Sequence, residues 1–127
     1  MKRVFKTRHF KRWMRKTELT DAALCAAALE MTEGLIDAEL GGGVVKKRIG
    51  IGSRGKRSGA RTLIATNKGS RWFFVYGFEK SDRANISADE LEALQALASD
   101  LLALSAKELS LAVEDTTLEE ICDDKKD

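Results

Sequence analysis

Residues 61–78 set the fold class: Arg61-Thr-Leu-Ile-Ala-Thr66, Asn67-Lys-Gly-Ser70 and Arg71-Trp-Phe-Phe-Val-Tyr-Gly-Phe78. The outer two segments are rich in β-branched and aromatic residues, and the polar segment between them has the composition of a hairpin turn. The last segment is apolar on both faces, so it should be an interior strand covered by helices on at least one side. The stretch therefore predicts a hairpin within a sheet.

The segment before this hairpin extends the sheet and carries a group of cations. Val44-Val-Lys-Lys-Arg-Ile-Gly-Ile51 has period two, so Lys46 and Arg48 leave one face of a strand and Lys47 leaves the other. A basic, glycine-rich connector over 52–59 leads to the next strand, which opens at Arg61. This arrangement predicts a concentration of Lys and Arg on adjacent strands and on the loop between them.

The N-terminal quarter of the chain predicts an edge strand followed by a helical hairpin. Residues 1–7 alternate imperfectly, and apolar residues at helical spacing predict a short basic helix over about 8–16. Thr20 can cap a second helix, which Gly34 would end. His9, the only histidine, is interpreted as a surface residue of the basic helix.

Two serine capping signals predict helices after the hairpin, one near 88–104 and a shorter one over 105–113. We therefore expect an α+β fold of the order β-α-α-β-β-β-α, in which helices pack on a small, mostly antiparallel sheet, with a helical C-terminal appendix. Residues 1–113 should form a single domain, and the acidic residues 114–127 a flexible tail.

Composition narrows the class of protein. A chain of 127 residues with 33% charged residues has room for one domain, and no stretch approaches the roughly 18 apolar residues of a membrane span. Cys25 and Cys122 form no CxxC pair, and Cys25 is interpreted as a small apolar filler of a helix in a reducing cytoplasm. One histidine and two distant cysteines offer no metal-ligand spacing, so we expect neither metal nor organic cofactor.

Charge is segregated along the chain although the net charge is only +2. Residues 1–16 hold eight Lys/Arg and no acid, residues 43–71 hold nine and no acid, and residues 89–127 hold twelve acids against three bases. Like charges at this density repel one another, and a merely solvated face leaves the absence of acids unexplained. The pattern favours a polyanion partner, nucleic acid above all.

The strand cations have the chemistry that RNA cleavage requires. Cleavage needs removal of the 2′-hydroxyl proton, neutralisation of the phosphate as it becomes pentacoordinate, and a proton for the leaving 5′-oxygen. A lysine can act as base where neighbouring cations favour its neutral form, as Arg48 and Arg61 would do for Lys46. Arginine suits the phosphate because its fork stays charged and bidentate. A basic face that binds RNA without cutting it is the alternative.

Three segments resemble the RelE/HigB-type toxins of bacterial toxin-antitoxin modules: Gly42-Gly-Val-Val-Lys-Lys-Arg-Ile49, Gly52-Ser-Arg-Gly-Lys-Arg-Ser-Gly-Ala-Arg61 and Tyr76-Gly-Phe-Glu-Lys-Ser-Asp-Arg-Ala-Asn-Ile86. The similarity runs from about residue 1 to about 104, including the order of elements. It implies a RelE-like fold and a small, metal-independent ribonuclease that cuts messenger RNA in the ribosomal A site. It also implies a cognate antitoxin that holds the toxin inactive.

The resemblance assigns roles to individual cations. Lys46 resembles a strand lysine implicated as base or in charge stabilisation, Arg48 a cation beside the phosphate, and Arg61 the arginine that stabilises the transition state. Lys80 falls in the basic segment after the last strand, where the family again places active-site cations. Contacts to RNA or the ribosome are expected from Lys47, Arg54, Lys56, Arg57 and Arg83.

Two departures leave the general acid unassigned. Many relatives have a catalytic arginine directly after the position of Lys80 and a tyrosine or histidine further on, where this chain has Ser81 and Ser87. Arg83, Lys80 and Tyr76 are the candidates to compensate. ParE-type gyrase poisons share the fold and lack the ribonuclease residues, so a non-catalytic poison and an inactive RNA-binding module remain alternatives.

Overall fold

The computed structural model of the protein describes residues 2–52 and 59–122. Its strands are β1 (Arg3–Thr7), β2 (Ala38–Gly41), β3 (Val44–Ile49), β4 (Ala60–Thr66), β5 (Arg71–Glu79) and β6 (Leu118–Ile121). Its helices are α1 (Arg8–Met14), α2 (Asp21–Thr32), α3 (Ala88–Leu102) and α4 (Ala106–Glu114). The described residues form one open sheet with the strand order β2-β3-β4-β5-β1-β6. Only the β1–β5 pair is parallel.

The central hairpin forms as the sequence predicts. β3, β4 and β5 pair antiparallel, and all seven residues of β4 are buried. β1 was predicted as an edge strand, and this is wrong, because it pairs with β5 on one side and with β6 on the other. The edges of the sheet are β6 and the short β2, which the sequence analysis missed. β2 pairs with β3 through a ladder that contains a bulge.

The predicted flexible tail is wrong for residues 118–121, which form β6. Leu118 and Ile121 are buried beside β1, and the two acidic residues between them meet cations of the N-terminal block. Glu120 accepts from the Arg3 guanidinium at 2.9 Å, and a Glu119 oxygen lies 2.9 Å from the Lys11 ammonium. An acidic segment that has the composition of a solvated tail is thus held by charges more than a hundred residues away. Residues 123–127 lie outside the described part of the chain.

The interpretation of Cys25 as a reduced apolar filler is also wrong, because Cys25 and Cys122 form a disulfide. Their Cα atoms are 5.4 Å apart, and the bond joins α2 to the residue after β6 across a sequence separation of 97. Neither residue lies in a short-range cysteine motif, so only the chain topology brings them together.

Two pairs of helices cover the two faces of the sheet, one pair on each face. We call the side covered by α1 and α2 the closed face. Its core includes Phe10, Leu24, Met31, Trp72 and Phe74. The Trp13 ring fixes α1 against β5, since a Cβ at Gly77 would lie 2.4 Å from it and any side chain there would collide.

The opposite side, which we call the open face, is covered by α3 and α4. Its core includes Phe5, Leu63, Phe73, Leu94 and Leu109. Capping boxes at Ser87 and Ser105 start the two helices, as predicted. The first turn of α3 lies against Tyr76 of β5, whose hydroxyl donates to Glu90 at 3.1 Å. Within the described residues, no helix has the length and apolar character needed to cross a membrane.

Candidate active site

Two cross-strand rows of side chains lie on the open face near the start of α3. Residues directly opposite each other in an antiparallel ladder point to the same face, with Cβ atoms about 4.5–5.5 Å apart. The register gives Lys46, Leu63 and Tyr76 as the first row and Arg48, Arg61 and Phe78 as the second. The sequence prediction that Lys46 and Arg48 share a face agrees with the ladder, which also places Arg61 of the next strand on that face.

Lys46 lies below the segment that leads into α3. Its ammonium donates to Asn85 Oδ1 at 3.3 Å, and the same oxygen accepts from the backbone N–H of Ile86 at 2.9 Å. No carboxylate among the described residues pairs with Lys46. Its ammonium is thus positioned by a neutral acceptor, which leaves the rest of its hydrogen-bonding capacity for a ligand.

Arg48 is anchored by Asp37, the residue before β2. Asp37 Oδ2 accepts from the Arg48 backbone N–H at 2.7 Å, and Oδ1 accepts from the guanidinium Nε at 3.2 Å. The Arg48 side chain is still 46% exposed. The carboxylate therefore holds the guanidinium in place and leaves part of its fork open to an anion.

Arg61 forms the floor of the second row. It is only 8% exposed and lies on β4 between Arg48 and Phe78. A guanidinium is a planar cation with five N–H donors in a fixed geometry. Arg61 therefore places a positive charge beneath the surface that carries the Lys46 and Arg48 side chains.

Tyr76, Arg83 and Glu90 form a hydrogen-bonded triad beside the rows. Arg83 donates to the two carboxylate oxygens of Glu90 at 2.6 and 3.0 Å and to the Tyr76 hydroxyl at 3.2 Å. The Tyr76 hydroxyl in turn lies 3.1 Å from Glu90 Oε2, to which it donates, and the Arg83 guanidinium stands over the Phe78 ring at 5.6 Å. Arg83 was predicted to contact RNA, and here it holds Tyr76 and the start of α3 together.

The triad shifts the proton affinities of its members. Hydrogen bonds from Arg83, and then the backbone N–H of Ser87, lower the pKa of Glu90 to about 2. Burial, and then the hydrogen bond to Glu90, raises the pKa of the Tyr76 phenol. Tyr76 therefore keeps its proton at neutral pH, and this proton is directed at Glu90.

The structure does not bring every predicted cation to this site. Lys47, which was predicted to contact RNA, lies on the closed face and is 3% exposed. Its ammonium donates to the Leu35 carbonyl at 2.8 Å and pairs with Glu30 at 2.8 Å. Lys80 is exposed just after β5, where its backbone N–H donates to the Gly59 carbonyl. Arg54, Lys56 and Arg57 lie outside the described residues.

Sequence reasoning missed several neighbours of the rows. Asn85 and Asp37 lie in irregular segments without a motif, and Glu90 was noticed only as a helix cap. His9 was interpreted as a surface residue; it is exposed, and its ring is stacked on Tyr76 with centroids 5.5 Å apart and planes 6° apart. Period two in β5 was the available signal, because it puts Tyr76 and Phe78 on the same face.

A comparison with protein families agrees with this arrangement of elements. A family model described as the RelE toxin of the RelE/RelB toxin-antitoxin system matches residues 2–121. The chain belongs to the RelE toxin family. The match includes β6, so the C-terminal α4–β6 unit lies within the RelE region. Toxins of this family act with an antitoxin, which makes an antitoxin the partner of this RelE chain. The comparison with curated proteins finds no match.

Potential metal ligands are sparse around the rows of this RelE chain. Across residues 2–52 and 59–122, no group of three or more His, Cys, Asp or Glu side chains is placed to hold a metal ion. The acids near the rows, Asp37 and Glu90, are each engaged with an arginine.

Proposed function

We propose that this protein is a ribosome-dependent messenger-RNA endoribonuclease, the toxin of a type II toxin-antitoxin module. The observation that carries the proposal is the grouping of Lys46, Arg48 and Arg61 on adjacent strands of the open face. A phosphodiester that becomes pentacoordinate gains negative charge, and fixed cations at that position lower the barrier. Ribosomes and messenger RNA are the substrate complex in this proposal, and the cytoplasm is the site of action.

The three cations divide the work. Lys46 is the base for the 2′-hydroxyl, or a stabiliser of its developing charge, and Asn85 holds its ammonium in place. Arg61 neutralises the transition-state phosphate from the floor of the site. Arg48 binds a further phosphate oxygen with the part of its fork that Asp37 leaves open. Their positions on a paired β-ladder keep these groups rigid, as catalysis by preorganised charge requires.

The leaving 5′-oxygen needs a proton, and Lys80 is the donor we propose. Tyr76 directs its proton at Glu90, and the donor nitrogens of Arg83 are committed to Glu90, Tyr76 and the Asn85 carbonyl. Lys80 is exposed at the end of β5 and has no side-chain partner among the described residues. An ammonium there can approach a leaving oxygen on RNA that lies across the second row.

One observation favours the non-catalytic alternative. Ser81 and Ser87 stand where many relatives have a catalytic arginine and an aromatic or histidine residue, and a gyrase poison of the ParE type needs neither. The test is therefore induction of the chain without its antitoxin, followed by mapping of transcript ends within ribosome-covered reading frames and by an assay of gyrase activity. Growth arrest with cleaved transcripts supports the ribonuclease. Arrest with intact transcripts and inhibited gyrase replaces it with the poison.

Purified protein gives the matched experiment. Wild type and Lys46→Met are compared in single-turnover cleavage of messenger RNA in the A site of programmed ribosomes. Lys107→Met, an exposed lysine of α4, serves as the control for loss of one charge. Cleavage by wild type and Lys107→Met but not by Lys46→Met is the expected result. Ribosome binding without cleavage by wild type would indicate an inactive RNA-binding module.

A further inference from the structure

His9 occupies a defined position at the flank of the first cross-strand row. β1 ends at Thr7, whose hydroxyl accepts from the Phe10 backbone N–H at 3.2 Å and so starts α1 directly beside β5. Phe10 is fully buried in the closed-face core. His9 precedes Phe10 in the first turn of α1, and its ring stacks on Tyr76. The ring therefore extends the row that begins at Lys46.

The stacked pair is held from both sides. The Tyr76 hydroxyl is fixed by Arg83 and Glu90. On the other side, the Arg8 guanidinium donates to the Asp115 and Thr116 backbone carbonyls at 3.2 and 3.0 Å, which ties the first turn of α1 to the segment before β6. The imidazole plane is thus set before any ligand arrives. Because His9 is exposed while one ring face lies on Tyr76, its open surface is the face turned away from Tyr76.

Such a ring next to fixed cations matches the recognition of single-stranded RNA. Unpaired bases stack on aromatic side chains, including histidine, while Lys and Arg hold the backbone. His9 follows β1, which lies three interstrand spacings from β3, about 14 Å, so a base at His9 and a phosphate between Lys46 and Arg61 belong to neighbouring nucleotides. A surface histidine without a function would need neither the nearly parallel stack on Tyr76 nor the cations nearby.

We propose that His9, supported by Tyr76, is the platform on which a base of the messenger RNA stacks beside the phosphate that is cut. The inference rests on the proposed function and adds a residue that positions the substrate. Stacking needs a flat ring and no exchange of protons, so phenylalanine can replace histidine at this position.

The test uses a messenger RNA with 2-aminopurine at successive A-site positions and a 2′-deoxy sugar at the cleavage position, bound to programmed ribosomes. Wild type should quench 2-aminopurine at one position next to the deoxy sugar. His9→Ala should abolish that quenching and weaken half-saturation of the cleavable RNA by about 5- to 100-fold. His9→Phe should stay within about threefold of wild type. Arg12→Ala, an exposed position on the same helix, should leave the quenching unchanged.

The outcomes separate this inference from the ribonuclease assignment. Binding and quenching by wild type without cleavage of the all-ribose RNA overturn the ribonuclease and leave the platform supported. Loss of activity in both His9→Phe and His9→Ala, with one limb of the pH–rate profile missing, overturns the platform in favour of proton transfer by His9. Equal quenching by wild type and His9→Ala also overturns it, as does a defect confined to antitoxin binding. Absence of any RNA binding by wild type overturns both proposals.

Discussion

Lys46 and Lys47 are neighbours on one strand, yet they lie in opposite environments. Lys46 is on the open face, where its only described partner is the neutral side chain of Asn85. Lys47 is buried on the closed face, where Glu30 and the Leu35 carbonyl satisfy its ammonium. A lysine side chain thus becomes either a structural ion pair or a group available to a ligand, depending on which face of the pleat it leaves.

The same contrast applies to other lysines and arginines that the structure describes. On and around the closed face, carboxylates pair with some of the N-terminal cations: the buried Lys6 pairs with Asp21 at 2.7 Å, and Lys11 lies 2.9 Å from Glu119. On the open face, Lys46 donates to the neutral side chain of Asn85, and Arg48 pairs with Asp37 while 46% of its side chain stays exposed. Density of charge in the sequence therefore overstates how much of the N-terminal block is available to a polyanion.

Exchanging each of the two lysines for methionine should separate the two faces most strongly. Lys46→Met is expected to lower cleavage by about 10²- to 10⁴-fold, as loss of a general base does, and to change the free energy of unfolding by less than about 0.5 kcal/mol. Lys47→Met removes the buried ammonium that pairs with the Glu30 carboxylate and donates to the Leu35 carbonyl, which should cost about 1–3 kcal/mol of stability. Urea unfolding and single-turnover cleavage of both variants are the measurements. Equal losses of stability would remove the distinction between the faces.

Replacing Arg61 should have the next largest effect on cleavage, because Arg61 lies on the open face and is nevertheless buried. Arg61→Ala should slow cleavage by about 100- to 1000-fold, roughly 2.7–4 kcal/mol if it acts as a single preorganised donor, with a much smaller change in ribosome binding. Thermal unfolding identifies variants that have lost the fold, and Arg61→Lys preserves the charge as a control. Undiminished cleavage by a folded Arg61→Ala protein would take Arg61 out of the active site.

The disulfide tests whether the closed face can lose stability without loss of chemistry. Cys25–Cys122 closes a loop across a sequence separation of 97, and removing such a cross-link typically costs about 2–4 kcal/mol of unfolding free energy. Reduction, or the double variant Cys25→Ser/Cys122→Ser, should lower the urea midpoint and leave the cleavage rate of the folded protein unchanged. The oxidised and the reduced protein are assayed side by side, because a reducing compartment disfavours the bond. A parallel loss of rate would show that α2 and β6 support the catalytic rows.

The smallest effect concerns the triad at the border of the open face. The pKa of Glu90 is held at about 2, below the usual 4.5 of a glutamate, so the folded state favours its ionised form. This contribution to stability is complete above about pH 4.5 and is lost as the pH falls towards 2. Unfolding midpoints of wild type and Glu90→Gln, measured between pH 6 and 2, should therefore converge at the acid end. A constant difference across this range would mean that Glu90 is not stabilised as a carboxylate.

Local patterns were sufficient for a large part of the fold. Period two in β3 and β5, the polar turn after β4 and the capping boxes at Ser87 and Ser105 each act over a few residues, so the strands and helices they predict are present. The same periodicity assigned Lys46 and Arg48 to one face. These inferences need no knowledge of how distant segments meet.

Long-range pairing produced the corrections to β1, to the C-terminal tail and to the two cysteines. β6 exists because Leu118 and Ile121 find an apolar site beside β1 and because Glu119 and Glu120 find N-terminal cations there. The disulfide requires α2 and the end of β6 to be adjacent, across 97 residues of sequence. The same packing decides which cations meet a carboxylate. It also brings His9 onto Tyr76. Side-chain periodicity is a property of the backbone within one element, whereas the partner of a charge or a thiol is set by topology and burial, which a linear pattern does not encode.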